Sequence, residues 1–444
     1  MRRAIFDAKT SVLMRRDRRA LREMLRHERL TQEQAQLVSD ERSARIALHA
    51  YRTTPFYRRH FSDAGFTEAD VSRPENFALL PALSKAAVQD AGDALVSSDS
   101  SPRDLLVSRT GGSTGRPLQV FNDRRAPVAA LWWRVYSWWG IHPSDHAAFI
   151  YRQSRAGVKK LRYDMEWWPT RHLLLDARGA TSETIADFER EVARLHPRLL
   201  VGYVEGVVDF ARFVARRGTS VPGLAAISVT ASMLHPGQRE EVEGVLRAPV
   251  FDTYRSAEVP WIAAECAAHS GLHVLSDRRR VDIVDGASAV LEPGVIGDIL
   301  VTDFDNRAYP LIRYATGDRS RIISGQCACG RSLARIDHIQ GRIADVLRTP
   351  SGRSVSGGLG GLFNAWPGVV RQFQIHQTED FSVTIRYVSG PDHQTAARAA
   401  DSVCHTVSGF LAREVEVRAQ RVDAVQNQGG KARMVISDVP AAVE

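Results

Sequence analysis

RLLVGYVEGVVDFARFVARRGTSVPGLAAISVTASMLHPGQREEVEGVLRAPVFDTY, residues 198–254, decides the fold. RLLVGY is a short apolar run and reads as a strand. VVDFARFVARRG repeats its apolar positions with a helical period and stops at Gly218, and AAISVTAS is a second strand. PGQREEVEGVL then reads as a helix and PVFDTY as a third strand, while ETIADFEREVARL just upstream is an amphipathic helix. Strands alternating with helices of about a dozen residues predict a largely parallel α/β architecture, because parallel neighbours need a crossover between them.

Outward from this core the pattern changes. Residues 1–60 read as helical, with Leu13, Leu21 and Leu25 among arginines. SRTGGSTGRP (108–117) is a Gly/Ser/Thr loop between two short β-like runs, LLV and LQVF, and an aromatic helix-like stretch from Trp132 to Trp139 follows it. Around 281–315 the segments shorten into strands and turns, which predicts a smaller β-rich subdomain. Beyond a Gly/Ser-rich stretch, VRQFQIHQ, FSVTIRYV, HQTAARAADSVCHTVSGFL and EVEVRAQ read strand, strand, helix, strand. That sequence predicts a compact α+β unit, so two domains are expected, residues 1–341 and 342–444. A chain of 444 residues suits two or three domains rather than one.

Composition excludes several classes. Hydrophobic residues make up 44% and charged residues 25%, ordinary for a globular enzyme, and no apolar run reaches membrane-span length. No secretory h-region follows the basic N-terminus, so a cytoplasmic protein is expected. The net charge of +8 comes from arginines interleaved with acids along the whole chain, without a recognition helix or an aromatic-basic strand; it suits anionic small substrates better than nucleic acid. Four cysteines in this length argue against a disulfide framework. Lysine is scarce: only Lys9, Lys85, Lys159, Lys160 and Lys431, so Lys431 in GGKARMVIS stands alone in the last 284 residues.

Five stretches carry chemistry. The loop Thr110–Gly111–Gly112–Ser113–Thr114–Gly115–Arg116 lets backbone N–H groups wrap a phosphate chain, with Arg116 adding charge; Walker A spacing is absent. In YRSAE (254–258), Tyr254 can stack on a base and Glu258 can hold Mg2+. YPLIRYATGD (309–318) ends in Asp318, suited to ribose hydroxyls. HIQGRIADVL (338–347) lies at the expected domain boundary, and GGKARMVIS (429–437) carries Lys431. Separately, ECAAHSGLH (265–273) and GQCACGR (325–331) offer Cys266, Cys327 and Cys329 with either His269 or His273, the donor set of a tetrahedral structural zinc site.

Taken in order, TGGSTGRP, YRSAE, YPLIRYATGD, CxCGRSLARIDHIQGRIADVL and GGKARMVIS resemble the signature set of the phenylacetate–CoA ligase-like branch of the acyl-adenylate-forming superfamily, over nearly all the chain after residue 43. The resemblance implies the adenylate-forming enzyme fold: a large N-terminal α/β domain with a β-rich subdomain, and a small mobile C-terminal α+β domain. It implies ATP-dependent activation of a carboxylic acid, aromatic by expectation, as an acyl-AMP. Ser113, Thr114, Gly115 and Arg116 would hold the ATP phosphates, Tyr254 the adenine, Glu258 the Mg2+, Asp318 the ribose and Arg342 the nucleotide at the hinge. Lys431 would bridge carboxylate and α-phosphate. The resemblance also favours His273 over His269 as the fourth zinc ligand. Tyr136 and Trp139, with Ala231 and Ser232, are the candidate acyl-pocket lining.

Two departures bear on the second half-reaction. The hinge reads Gly341-Arg342-Ile343-Ala344-Asp345, with alanine at the family's first aspartate, and SGRSVSGGLGG replaces the family's RGxNVFPS-like segment. The acyl acceptor is therefore open between the thiol of CoA, a carrier-protein thiol and an amine. AMP-retaining nucleotidyl transfer and a catalytically silent binding scaffold are the remaining alternatives. The oligomeric state is open, with a homodimer among the options, and neither nucleic acid nor membrane is expected as partner.

Overall fold

The computed structural model describes the chain except residues 110–117, 152, 178–179, 232–233, 235, 340–345, 352–353, 357–358, 360–361, 364–365, 367–368, 424, 426, 429–430, 433–434 and 440–444. The chain divides into two compact units. The first is Met1–Val107, Phe121–Ala315 and Ser320–His338; the second is Ser108–Val120, Thr316–Arg319 and Ile339–Glu444.

The first unit begins with helices α1 (Arg2–Leu13), α2 (Arg15–His27), α3 (Gln32–Thr53), α4 (Pro55–Asp63), α5 (Glu68–Val71) and α6 (Lys85–Ala91). Local chemistry sets their ends: Thr31 and Gln34 form a reciprocal capping box at α3, and Thr54 caps α4 ahead of Pro55 at its first turn. Strands β1 (Leu105–Arg109) and β2 (Gln119–Asp123) pair on either side of the glycine-rich stretch. The alternating region follows: α7 (Val128–Trp138), β3 (Ala147–Tyr151), α8 (Gly157–Trp167), β4 (His172–Asp176), α9 (Ser182–Leu195), β5 (Leu199–Tyr203), α10 (Val204–Arg217), β6 (Ala226–Thr230), α11 (Pro236–Leu246) and β7 (Val250–Tyr254). Gly218 ends α10 at φ +63, the left-handed stop that only glycine adopts without strain.

The expected parallel sheet is present and larger than the pattern alone implies. Among the described residues β4, β3, β5, β6 and β7 lie side by side in parallel. Beyond β7 the sheet turns antiparallel through β8 (Ala263–Glu265) and β9 (Leu272–Val274). A second, three-stranded sheet holds β10 (Arg279–Val284), β11 (Gly297–Asp303) and β12 (Tyr314–Ser320), matching the β-rich subdomain read from the sequence. Strands β13 (Ile322–Ile323) and β14 (Arg335–Ile336) then return to the large sheet, β14 pairing with β9. Strands β6 and β7 are buried at every position, as parallel strands covered on both faces must be. Their cores are a helix-side cluster around Ile150, Phe188, Val207, Phe210 and Val229, and a second around Val135, Tyr136, Trp139 and Phe251.

The second unit contains β15 (Val346–Arg348), β16 (Ser354–Ser356), β17 (Val370–Gln377), β18 (Val383–Ser389), α12 (His393–Phe410), β19 (Val417–Arg421), β20 (Asn427–Gln428), β21 (Lys431–Ala432) and β22 (Val435–Ser437). Among the described residues β19, β18, β17 and β22 form a four-stranded sheet, with the β17–β18 hairpin antiparallel and the outer pairs parallel. The buried face of α12 presents Ala396, Ala399, Ala400, Val403, Cys404 and Val407 to a cluster that includes Ile375 and Ile385. Small residues along that face let the helix lie close on the sheet. Cys404 is part of this core.

Candidate active site

Parallel strands in register bring their carboxyl ends to one level, where open α/β sheets take their ligands. Here those ends are Tyr151 on β3, Tyr203 on β5, Thr230 on β6 and Tyr254 on β7, with Tyr203 and Thr230 directly paired. Ala231 follows at φ +77 and is exposed, a left-handed turn that a non-glycine residue adopts at a cost of roughly 1–2 kcal/mol. Ser232 lies outside the described residues.

The turn after β7 carries the second motif. Tyr254 is buried, and its carbonyl accepts the Ile262 N–H at 2.9 Å, which fixes where β8 starts. Glu258, four residues on, is also buried and accepts the Tyr314 hydroxyl at 3.3 Å. That phenol is a neutral donor, and among the described residues no lysine or arginine pairs with Glu258. Asp318 is partly exposed on β12, beside Gly317 at φ +81, and its backbone N–H donates to Thr316 Oγ1 at 3.2 Å. In the second unit Lys431 opens the short strand β21, paired through its backbone with Gln428; its side chain lies outside the described residues. Thr110, Gly111, Gly112, Ser113, Thr114, Gly115, Arg116 and Arg342 lie outside them too.

Tyr136 and Trp139 sit on and just after α7, 5% and 7% exposed, within the second core cluster. Trp139 stacks on Phe251 at 4.7 Å and donates its indole N–H to the Glu265 carbonyl at 2.9 Å, so its ring is committed to packing. Tyr136 stands edge-on to Trp261 at 5.9 Å.

The cysteine pattern converges. Sγ of Cys266, Cys327 and Cys329 and a ring nitrogen of His273 all lie within 4.8 Å of one another. Cys266 and Cys327 are 3.7 Å apart, and Cys329 is 3.3 Å from His273 Nε2. Nδ1 of His273 faces the Leu333 carbonyl at 3.4 Å, which keeps its proton there and turns the Nε2 lone pair toward the thiols. Burial pushes the His273 imidazole down to about 4, leaving it neutral, and pushes the Cys266 thiol up to about 12. At Cys327 burial acts the same way, but hydrogen bonding from Ser270 and the Cys329 backbone outweighs it and brings the thiol to about 7. Three thiols that ionise on binding and one neutral imidazole, gathered at one point, are the donor set of a tetrahedral cation, so the residues fit zinc. The quartet depends on Gly271 at φ +93: a Cβ there would meet the Ile336 carbonyl at 2.7 Å and keep β9 from closing on β14. His269, the other histidine of the stretch, stacks on Phe251 at 5.1 Å and faces Glu265 instead.

Sequence reading did not single out Tyr151, Tyr203 and Arg255. Tyrosines closing two strand-like runs, and an arginine inside YRSAE, were the available signal. Arg255 donates to Tyr151 Oη at 2.5 Å and lies over the rings of Tyr151 and Trp261.

No family model matches the chain. The phenylacetate–coenzyme A ligase of Thermus thermophilus is 26% identical over 337 residues, spanning 72% of this chain and 73% of the relative. The phenylacetate–coenzyme A ligase of Escherichia coli is 26% identical over 316 residues, spanning 67% and 69%. Among solved structures, 2-hydroxyisobutyryl-CoA ligase in its postadenylation state, in complex with R3-HIB-AMP, superimposes with a TM-score of 0.69 at 20% identity, over 93% of this chain and 91% of its own. Sequence likeness to the first two, the shared fold of the third and the order of motifs along the chain all support the phenylacetate–CoA ligase-like branch of the adenylate-forming enzymes.

Proposed function

We propose that the protein activates a carboxylic acid with ATP as an acyl-adenylate and then transfers the acyl group to the thiol of CoA. The observation that carries this reading is the turn after β7, where Tyr254 and Glu258 stand at the carboxyl edge of the parallel sheet in a chain similar to two phenylacetate–coenzyme A ligases. In the first step a carboxylate oxygen attacks the α-phosphorus of ATP and pyrophosphate leaves. In the second, the CoA thiolate attacks the acyl carbonyl and AMP leaves.

Two anions must meet in the first step, so the site's task is to offset their repulsion in the transition state. Lys431 supplies a compact cation to the carboxylate and α-phosphate. Glu258 holds Mg2+, which neutralises charge on the phosphates. Thr110–Arg116 wrap the phosphate chain, Tyr254 stacks on adenine, Asp318 takes the ribose hydroxyls, and Arg342 contacts the nucleotide where the two domains join. Residues 342–444 carry Lys431, and excluding water from the site protects the mixed anhydride. Cys266, His273, Cys327 and Cys329 hold a structural zinc and take no part in the chemistry.

The test is carboxylate-dependent ATP–pyrophosphate exchange over aromatic and aliphatic acids, followed by mass spectrometry with CoA added. Lys431→Ala and Glu258→Gln should each lower exchange by about 10²-fold or more while far-UV circular dichroism is unchanged. Exchange with no acid refutes adenylation; exchange at wild-type rate in Lys431→Ala refutes the role of that lysine.

A further inference from the structure

Most arginines that this protein buries pair with carboxylates, and buried Arg335 donates instead to the carbonyls of Ser270, Ser324 and Gly325. Arg134 pairs with Glu28 and Asp277, Arg278 with Glu23 and Asp305, Arg279 with Asp303, Arg280 with Asp282 and Arg313 with Asp282. Around Arg255 there is, among the described residues, no carboxylate at all. Its guanidinium donates to Tyr151 Oη at 2.5 Å, and its carbon lies 5.5 Å from the Tyr151 ring centroid and 5.1 Å from that of Trp261. Tyr203 stands 5.3 Å from Tyr151 and Tyr136 5.9 Å from Trp261, so the surroundings are phenols and π faces. Burial pushes the Tyr136 phenol up, so it stays neutral and is no counter-ion. Aromatic faces attract a cation but do not cancel its charge, so this half-buried guanidinium is left without a compensating anion.

The position says which anion would cancel it. Arg255 follows Tyr254 directly, and Tyr151 and Tyr203 close β3 and β5, so the three meet at the carboxyl edge of the sheet. Solvent reaches Arg255, Tyr151 and Tyr203, whereas Tyr136 and Trp261 behind them are buried. This is an accessible cation with a rigid aromatic backing, and it has N–H donors beyond the one given to Tyr151. The reacting carboxylate is a poor partner for it. That group loses its charge on forming the mixed anhydride, and a guanidinium bound to it would stabilise the ground state rather than the transition state.

We propose that Arg255 sets the substrate class: the acid carries a second anionic group, bound by this guanidinium with the body of the molecule against Tyr151 and Tyr203, while its other carboxylate is activated. This rests on the adenylation reading above. An anion that persists through the reaction keeps Arg255 paired in substrate, transition state and product alike, and Arg binds a carboxylate in a two-pronged geometry that a neutral ester cannot reproduce.

The experiment measures pyrophosphate exchange with benzenedicarboxylates and aliphatic dicarboxylates beside their monomethyl esters, in wild type, Arg255→Met and Arg255→Lys, together with calorimetric binding of isophthalate and its monomethyl ester without ATP. In wild type, kcat/KM should favour the best diacid over its half-ester by about 10- to 100-fold. Arg255→Met should erase that ratio by losing the diacid alone, Arg255→Lys should keep part of it, and KM for ATP should hold steady. Half-esters used as well as diacids by wild type would overturn the assignment. So would an equal loss for every acid with a raised KM for ATP, which makes Arg255 a nucleotide contact. Absence of exchange with any acid refutes adenylation instead, and calorimetry then decides this proposal: isophthalate binding weakened at least tenfold in Arg255→Met upholds it, and equal binding overturns it.

Discussion

Replacing Asp277 by asparagine should cost this protein several degrees of thermal stability. Asp277 lies between β9 and β10, 4% exposed at its side chain, and its Oδ1 accepts from Arg134 on α7 at 2.6 Å; Arg134 is fully buried. Arg134 also donates to Glu28, the residue closing α2, at 2.6 Å, and Trp138 donates to the same carboxylate at 2.7 Å. His27 stands 3.0 Å from the second oxygen of Asp277. One ion pair thus ties α2, α7 and the large sheet's antiparallel edge together. Asp277→Asn leaves Arg134 with Glu28 alone, and removing one partner of a buried pair costs about 3–5 kcal/mol. With an unfolding entropy of about 2.1 cal/mol/K per residue over a unit of roughly 320 residues, each kcal/mol moves the midpoint by about 1.5 °C. The expected fall in Tm is therefore about 5–7 °C.

The pH dependence gives a second readout. Burial alone would raise the Asp277 carboxyl, but Arg134, His27 and Arg278 hold it far below the usual carboxylate range. A depressed carboxyl stabilises the fold above its unfolded value of about 3.9 and loses that contribution as pH falls toward the folded value. The difference between wild type and Asp277→Asn should thus be constant from about pH 5 to 8 and shrink below about pH 4. Differential scanning calorimetry of wild type, Asp277→Asn, Arg134→Met and the double variant supplies the numbers, with the double variant losing less than the sum of the singles by about 2 kcal/mol or more. A Tm within about 2 °C of wild type in Asp277→Asn, with additive losses in the double variant, would refute the reasoning.

The metal quartet makes a compositional prediction: purified protein should carry about one zinc per chain by elemental analysis, and Cys327→Ser should carry under about a fifth of that and melt earlier. Zinc-free wild-type protein would remove the site. His338 lies with Nδ1 3.5 Å from Asp252 and Nε2 3.5 Å from Glu265, and its hydrogen bond to Asp252, with help from Glu265, raises it above 6.5 despite burial. A raised imidazole stabilises fully below its unfolded value and loses that contribution as pH climbs through the folded one, so wild type should lose Tm relative to His338→Gln as pH rises above about 6.5. Parallel pH profiles for the two proteins would contradict this.

Much of the fold was legible because local patterns and tertiary demands agree. Strand runs at 199–203, 226–230 and 250–254 are apolar throughout since both faces are covered, and Gly218 stops α10 where a left-handed residue is needed. The helix α8 was not legible: it has no buried residue, so no core-facing stripe marks it. The four antiparallel strands that widen the sheet are two or three residues long, too short for a period to declare itself.

The sequence by itself determined the alternating α/β core, the C-terminal strand–strand–helix–strand order, the donor set Cys266, Cys327 and Cys329, and the singular lysine at 431. Which histidine joins the thiols was a tertiary decision: β9 pairs His273 with Arg335 on β14 and so delivers it beside Cys329, while His269, four residues earlier, is turned onto Phe251. The condition of Arg255 was decided in the same way. A sequence shows that an arginine is present, but whether it has a counter-ion depends on which side chains three non-adjacent strand ends bring to it, and here they bring tyrosines.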